Sequence, residues 1–377
     1  SGAGEDSFWT WREVMYRFVE RLSPEDVRTI AALAYVEMLE AGFTRVGEFH
    51  YLHHDIGGAL YADPATMAGA IVAGAEASGI GLTLLPVFYA HGGFGGAPAG
   101  PERVRFVHSR DSFGRLVGAL KGAIGNLPDA RLGIAPHSLR AITPDELADI
   151  LPLAPDGPIH IHVAEQVREV EECLAWSGAR PVAWLFDHAE VDARWCLVHA
   201  THMDEAETAL LAASGAVAGL CPITEANLGD GLFPARAYRA AGGAFGVGSD
   251  SNVLIDLTEE LRLLEYGQRL SRRERTVLGG GAALFAGALA GGAQALGVEA
   301  GLVPGAALDV VSLDAEHPAL AGRAGDAIFD GWIFAARGGA VKDVWRRGEK
   351  VVSEGRHVRG EAIRAEYRRT LERILGR

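Results

Sequence analysis

Short apolar runs recur down the chain, and between them the apolar positions switch to helical spacing. The runs fall at 44–49, 82–87, 132–135, 159–163, 195–198, 216–220 and 244–247. Helical segments between them include 64–78, 112–125, 144–151, 166–177 and 204–213. Ahead of the first run, 8–22 carries Phe8, Trp9, Trp11, Met15, Phe18 and Val19 at helical spacing. Ser23-Pro24-Glu25-Asp26 then opens a second helix, with Ser as N-cap and Pro in the first turn, and Gly42 ends it. Strands alternating with helices make a parallel sheet, and a long run of such units favours closure into a barrel. A (β/α)8 TIM-type barrel needs eight units and the pattern supplies seven. The expectation is an α/β barrel whose first strand lies before Ser1; an open seven-stranded sheet is the other arrangement that fits.

Beyond about residue 305 the texture changes. Runs at 306–313, 328–334, 341–345 and 348–352 read as short strands with turns at Gly338-Gly339 and Arg347-Gly348. The expected organisation is a barrel over 1–304, strands of a small β-sandwich domain over 305–360, and an amphipathic C-terminal helix within 361–377. The glycine-rich 90–100 lacks the Gly-Lys-Ser/Thr ending of a phosphate loop and is expected to be a flexible loop at the barrel mouth.

Composition narrows the function classes. The chain has 377 residues, 49% of them hydrophobic, enough for a large core, and a net charge of -14 that disfavours nucleic acid or a membrane surface as partner. An anionic small molecule would therefore have to be met by a few local arginines. Cys173, Cys196 and Cys221 form no C-x-x-C pair, and Cys196 and Cys221 sit in apolar runs. They read as core thiols of a reducing, cytoplasmic compartment rather than a disulfide framework.

Candidate chemistry gathers where the strands end. Ile159-His160-Ile161-His162-Val163-Ala164-Glu165-Gln166 places His162 and Glu165 at the break from strand to loop. An imidazole there can hold a metal, and a nearby carboxylate can move protons. On its own, a His-x-His on a strand is as readily a packing feature. Other strand ends carry Tyr51, His137 and Arg140, then His199 and His202, then Thr224, Glu225 and Asn227, then Ser249, Asp250 and Asn252. Most of the 13 His lie at or near such ends, and catalytic groups of barrels come from the C-terminal ends of strands.

H-V-A-E after one strand, His after the next and G-S-D after the last resemble the deaminase branch of the metal-dependent amidohydrolase superfamily. Longer strings make the resemblance more selective: F-W-T-W-R-E at 8–13, F-H-Y-L-H-H-D at 49–55, G-I-A-P-H-S-L-R at 133–140, L-V-H-A-T-H at 197–202 and C-P-I-T-E-A-N-L-G-D-G at 221–231. They resemble the members that hydrolyse N-formimino-L-glutamate to the N-formyl compound and ammonia in histidine degradation. The resemblance implies one divalent metal, zinc, and a homodimer. It implies His162 as a metal ligand, Asp250 as a ligand that also accepts a proton from water, His199 as a polarising group and Glu165 as the acid for the departing nitrogen. The superfamily's first-strand His-x-His is not among these residues, which agrees with the strand count. For a substrate with two carboxylates, Arg140 and Arg12 are the candidate forks, with Tyr51 and His137 beside them. Two other readings stay open: deamination of a purine- or pyrimidine-like ring, and an inactive barrel serving as a binding subunit.

Overall fold

A computed structural model describes residues 18–376; Arg12 and most of the aromatic segment 8–22 lie outside the described residues. The parallel strands are β1 (Arg45–His50), β2 (Gly81–Phe88), the short pair β3 (Arg131–Leu132) and β4 (Ala135–Pro136), β5 (Ile159–Val163), β6 (Trp195–His199), β7 (Val217–Leu220) and β8 (Ala244–Val247). Each pairs with its neighbours in chain order, β2 receiving both β3 and β4. Bridges from Ile134 to Ile159 and from Ser138 to His162 join the two halves into one wall. β3 and β4 act as a single stave broken at Gly133. A Cβ there would stand 2.2 Å from the Pro158 carbonyl oxygen, so only glycine lets the next strand approach. β2 is buried at every position, which is why it reads as an unbroken apolar run rather than an alternation.

The fold is thus of the TIM-barrel type, with seven staves among the described residues. Its open side lies between β1 and β8, each of which pairs along one edge only among those residues.

Helices fill the crossovers: α1 (Pro24–Glu40), α2 (Thr66–Ser78), α3 (Arg110–Ala123), α4 (Pro144–Ile150), α5 (Val167–Ser177), α6 (Pro181–His188), α7 (Glu205–Ser214), α8 (Pro222–Leu228), α9 (Ala235–Ala240), α10 (Leu257–Arg272) and α11 (Gly281–Ala295). Four of them begin with the reciprocal hydrogen bonds of a capping box: Ser23 with Asp26, Ser109 with Ser112, Thr143 with Glu146 and Asp204 with Glu207. α1 buries Ala31, Ala32, Tyr35, Val36, Met38 and Leu39.

After the barrel, β9 (Val310–Leu313), β10 (Val341–Arg346), β11 (Glu349–Ser353) and β12 (Arg356–His357) form an antiparallel sheet in that order. Arg347 and Gly348, with φ of 51° and 83°, make the two-residue turn between β10 and β11. Two expectations fail. The run 328–334 is a helix, α12 (Ala327–Phe334), with Trp332 and Ile333 buried. A short apolar run carries no period that separates strand from helix, and packing against α10 and α11 decides it. The glycine-rich 90–100 contains an ordered hairpin, His91–Gly93 against Ala97–Pro98, whose Phe94 stacks on Trp176 at 5.4 Å. The C-terminal helix α13 (Gly360–Leu375) lays Ile363 against Ala32 and Val36 of α1.

Candidate active site

The ends of β5, β6 and β8 bring His162, His199 and Asp250 together. One ligand atom from each lies within 4.8 Å of the others. His162 Nδ1 lies 3.0 Å from the His137 carbonyl oxygen. A carbonyl only accepts, so Nδ1 carries the proton and Nε2 keeps a lone pair, the arrangement of a metal-binding imidazole. His199 is fully buried, with Nδ1 3.3 Å from Glu225 Oε1 and Nε2 3.7 Å from Glu165 Oε1. Burial alone would lower its pKa, but Glu165, Glu225 and Asp250 outweigh it and push the imidazole up to about 10. A field that negative holds a proton when no other cation is at hand, and it suits a divalent ion equally well. Two imidazoles and a carboxylate are also the donor types that zinc accepts. The residues present therefore fit a divalent metal.

The backbone here is strained. Ala164, His199, Ala200, Asp250 and Asn252 all have φ between 42° and 67°, the left-handed region. For residues with a Cβ that conformation costs about 1–3 kcal/mol each. It turns the chain sharply out of β5, β6 and β8 and points their last side chains across the mouth.

A cavity of about 520 Å³ opens above these residues and is lined by Glu48, Tyr51, His137, Arg140, His162, Glu165, His199 and Asp250, among others. Its size is that of a small-molecule site. Phe49, Tyr51, Tyr89 and Phe106 give it an aromatic side, with the His137 ring 4.6 Å from Tyr89 and 5.5 Å from Tyr51. Arg140, half-buried, is the arginine among the cavity's described lining residues. Burial works against its charge, but Glu169, Glu165 and Tyr89 together raise its pKa. The structure thus brings Tyr51, His137, Arg140, His162, Glu165, His199 and Asp250 to one cavity.

The model of the amidohydrolase family matches residues 1–351. The chain belongs to that family. It is 50% identical over 383 residues to formimidoylglutamate deiminase of Pseudomonas aeruginosa, covering 100% of this chain and 84% of that protein. A crystal structure of an amidohydrolase from Brucella melitensis is 55% identical with a TM-score of 0.96, covering 99% of this chain and 84% of the other. An adenosine deaminase from Xanthomonas campestris with bound zinc shares the fold at a TM-score of 0.81 and 24% identity, covering 100% and 82%.

Within this amidohydrolase site, Glu225, one of the strand-end residues, acts on His199. It accepts hydrogen bonds from Cys221 N at 3.1 Å and pairs with His199. Its position one strand beyond His199 was the available signal. Glu169 went unmarked because a glutamate in the first turn of a helix is ordinary. Four other histidines pair with nearby groups, His160 with Ala295 O at 2.7 Å, His54 with Val107 O at 2.8 Å, His202 with Asp230 O at 2.8 Å and His91 with Glu146 at 2.9 Å, while His50 lines the cavity.

Proposed function

We propose that this chain hydrolyses the formimino group of N-formimino-L-glutamate, releasing ammonia and N-formyl-L-glutamate, at a site holding one zinc ion. The observation that carries the reading is a carboxylate, Glu165, set beside the His162–His199–Asp250 group in a cavity that Arg140 also lines. The 50% identity to a formimidoylglutamate deiminase over the whole chain supports it.

His162 and Asp250 would hold the metal, with His199 beside them. When bound, it supplies Lewis acidity, which lowers the pKa of water to roughly 7. Asp250 takes a proton from the attacking water as the oxygen–carbon bond forms at the formimino carbon. His199, its Nδ1 held against Glu225, keeps its other nitrogen on the reacting centre. The formamidine enters as its cation, and Glu165 gives a proton to the terminal nitrogen, so that the carbon–nitrogen bond breaks, ammonia leaves, and the hydroxyl proton returns to Glu165 as the formyl C=O forms. Arg140 receives a carboxylate of the glutamate in its planar fork, and Tyr51 and His137 pack the substrate from the aromatic side. The same reading carries a cytoplasmic homodimer, which fractionation and sedimentation would check.

The test is ammonia release by the zinc-loaded protein from N-formimino-L-glutamate and from adenosine, side by side. Turnover of the first and none of the second is expected. Turnover of adenosine alone would move the reaction to a ring amidine stacked on the aromatic wall, and no turnover of either would favour a binding subunit.

A further inference from the structure

We propose that Glu169 is a positioning residue that sets Glu165 and Arg140 relative to one another. The inference rests on the deiminase reading for the roles of those two groups. Glu169 sits in the first turn of α5, outside the cavity lining, and its side chain is fully enclosed. Its two oxygens divide between the strand-end backbone: Oε1 accepts from Ala164 N at 3.1 Å and Oε2 from Glu165 N at 3.2 Å. Oε2 also stands 4.0 Å from Arg140 Nη2, at the end of the neighbouring stave. One carboxylate therefore fastens the left-handed Ala164, the backbone of the proposed acid and the proposed carboxylate reader.

An ordinary cap would not need this arrangement. A helix N-terminus is satisfied by a short polar residue at the N-cap, and Gln166, the N-cap of α5, makes no side-chain cap bond. Glu169 instead reaches back past it to the two residues where the chain turns out of β5. Burial, with the charge of Glu165, raises its pKa above the ordinary carboxylate value, and Arg140 and the two amide donors offset only part of that. The carboxylate is kept enclosed at a cost, and what it holds is the active-site loop.

Glu169→Gln tests this. Its amide offers one acceptor where two are used, and it removes the negative partner of Arg140. Hydrogen exchange should show faster exchange at the Ala164 and Glu165 amides, with β5 and the body of α5 protected as in the parent. With N-formimino-L-glutamate, kcat should fall roughly tenfold to a hundredfold, the scale set by misplacing a catalytic group, and KM should rise because Arg140 has lost its counter-charge. In a Glu165→Gln background the same substitution should lower kcat by no more than about twofold, since no transferable proton remains to be placed. A lowered Tm with unaltered exchange at both amides and unaltered kcat and KM would make Glu169 a helix cap and overturn the proposal. If the Gln variant does not fold, Glu169→Asp keeps the charge but retracts the oxygens by one methylene, and must show the same exchange at the two amides. A parent that leaves N-formimino-L-glutamate untouched would sink the deiminase reading, while the exchange measurement would still decide whether Glu169 holds the loop.

Discussion

Glu165 approaches His199 at 3.7 Å through one oxygen, so its carboxyl is placed to exchange a proton with whatever occupies the centre. Glu165→Gln keeps the shape and removes the transferable proton. We expect turnover to drop by roughly 10²–10⁴ with metal content unchanged, read by a rate assay alongside elemental analysis. Lost metal with a modest rate change would instead make Glu165 a structural support. Arg140 is tested by Arg140→Lys, which keeps the charge and loses the two-pronged geometry. A charge-assisted hydrogen bond is worth about 1.5–3 kcal/mol, so kcat/KM for N-formimino-L-glutamate should fall roughly tenfold to a hundredfold. A formamidine without the matching carboxylate should lose much less. Equal losses on both substrates would mean that Arg140 supports the pocket without reading the glutamate.

At the scale of elements, the position of Asp250 depends on how closely α11 lies against β8. A Cβ on Gly291 would meet the Phe245 carbonyl oxygen at 2.0 Å, and one on Gly246 would meet the Gly292 backbone at 3.1 Å. Helix backbone and strand backbone are therefore in direct contact, and only glycine permits it. Gly291→Ala should push the helix off the strand at a cost of about 1–3 kcal/mol, as overpacking does. The displacement should also weaken metal binding, because β8 carries Asp250 at its end. Thermal unfolding and a metal titration check the two effects, and an unchanged Tm would show that the helix yields freely. α5 offers the contrasting case, where a helix steadies the site through one charged side chain rather than through backbone contact.

For the whole molecule, the small antiparallel sheet is tied to the base of the barrel by charge. Asp129, before β3, accepts from Arg45 of β1 and from Arg346 of β10, both at 2.7 Å, and Arg346 also pairs with Asp309. Burial alone would raise the Asp129 pKa, but Arg346 and Arg45 outweigh it and hold the carboxyl below its ordinary value of 3.8. A carboxyl depressed in the folded state contributes stability that is complete above its unfolded pKa and is lost as pH falls through the folded one. Asp129→Asn should therefore unfold at lower temperature at neutral pH. It should also show a flatter decline of Tm than the parent as the pH is taken below about 4. The cost should be well below the roughly 3–5 kcal/mol of a fully buried pair, because Asp129 is only half-buried and water screens part of the charge left behind. Parallel Tm–pH curves for the two proteins would count against a role for Asp129 in the acid limb.

The order of strands and helices was legible in the residues alone. Ile159–Val163 and Ala244–Val247 end where their runs of β-favouring residues end, and His160 and His162 inside the first are buried with the rest of it. The helix starts at Ser23, Thr143 and Asp204 were legible because a cap is a bond between residues three apart. The strand-end groups His162, Glu165, His199 and Asp250 could be named from the chain, since a barrel puts its strand ends on one face. Local sequence could not separate helix from strand over Ala327–Phe334, because the outcome lies in which surface covers Trp332 and Ile333. Nor could it show that 90–100 is ordered, which depends on Phe94 meeting Trp176. The partnerships of Glu225 with His199, and of Glu169 with Arg140, span 26 and 29 residues. No periodicity reaches across such distances. Residue type and spacing set which groups stand at the barrel mouth, while the enclosure that joins them, and the charges each must answer, came only from the packing of one stave against the next.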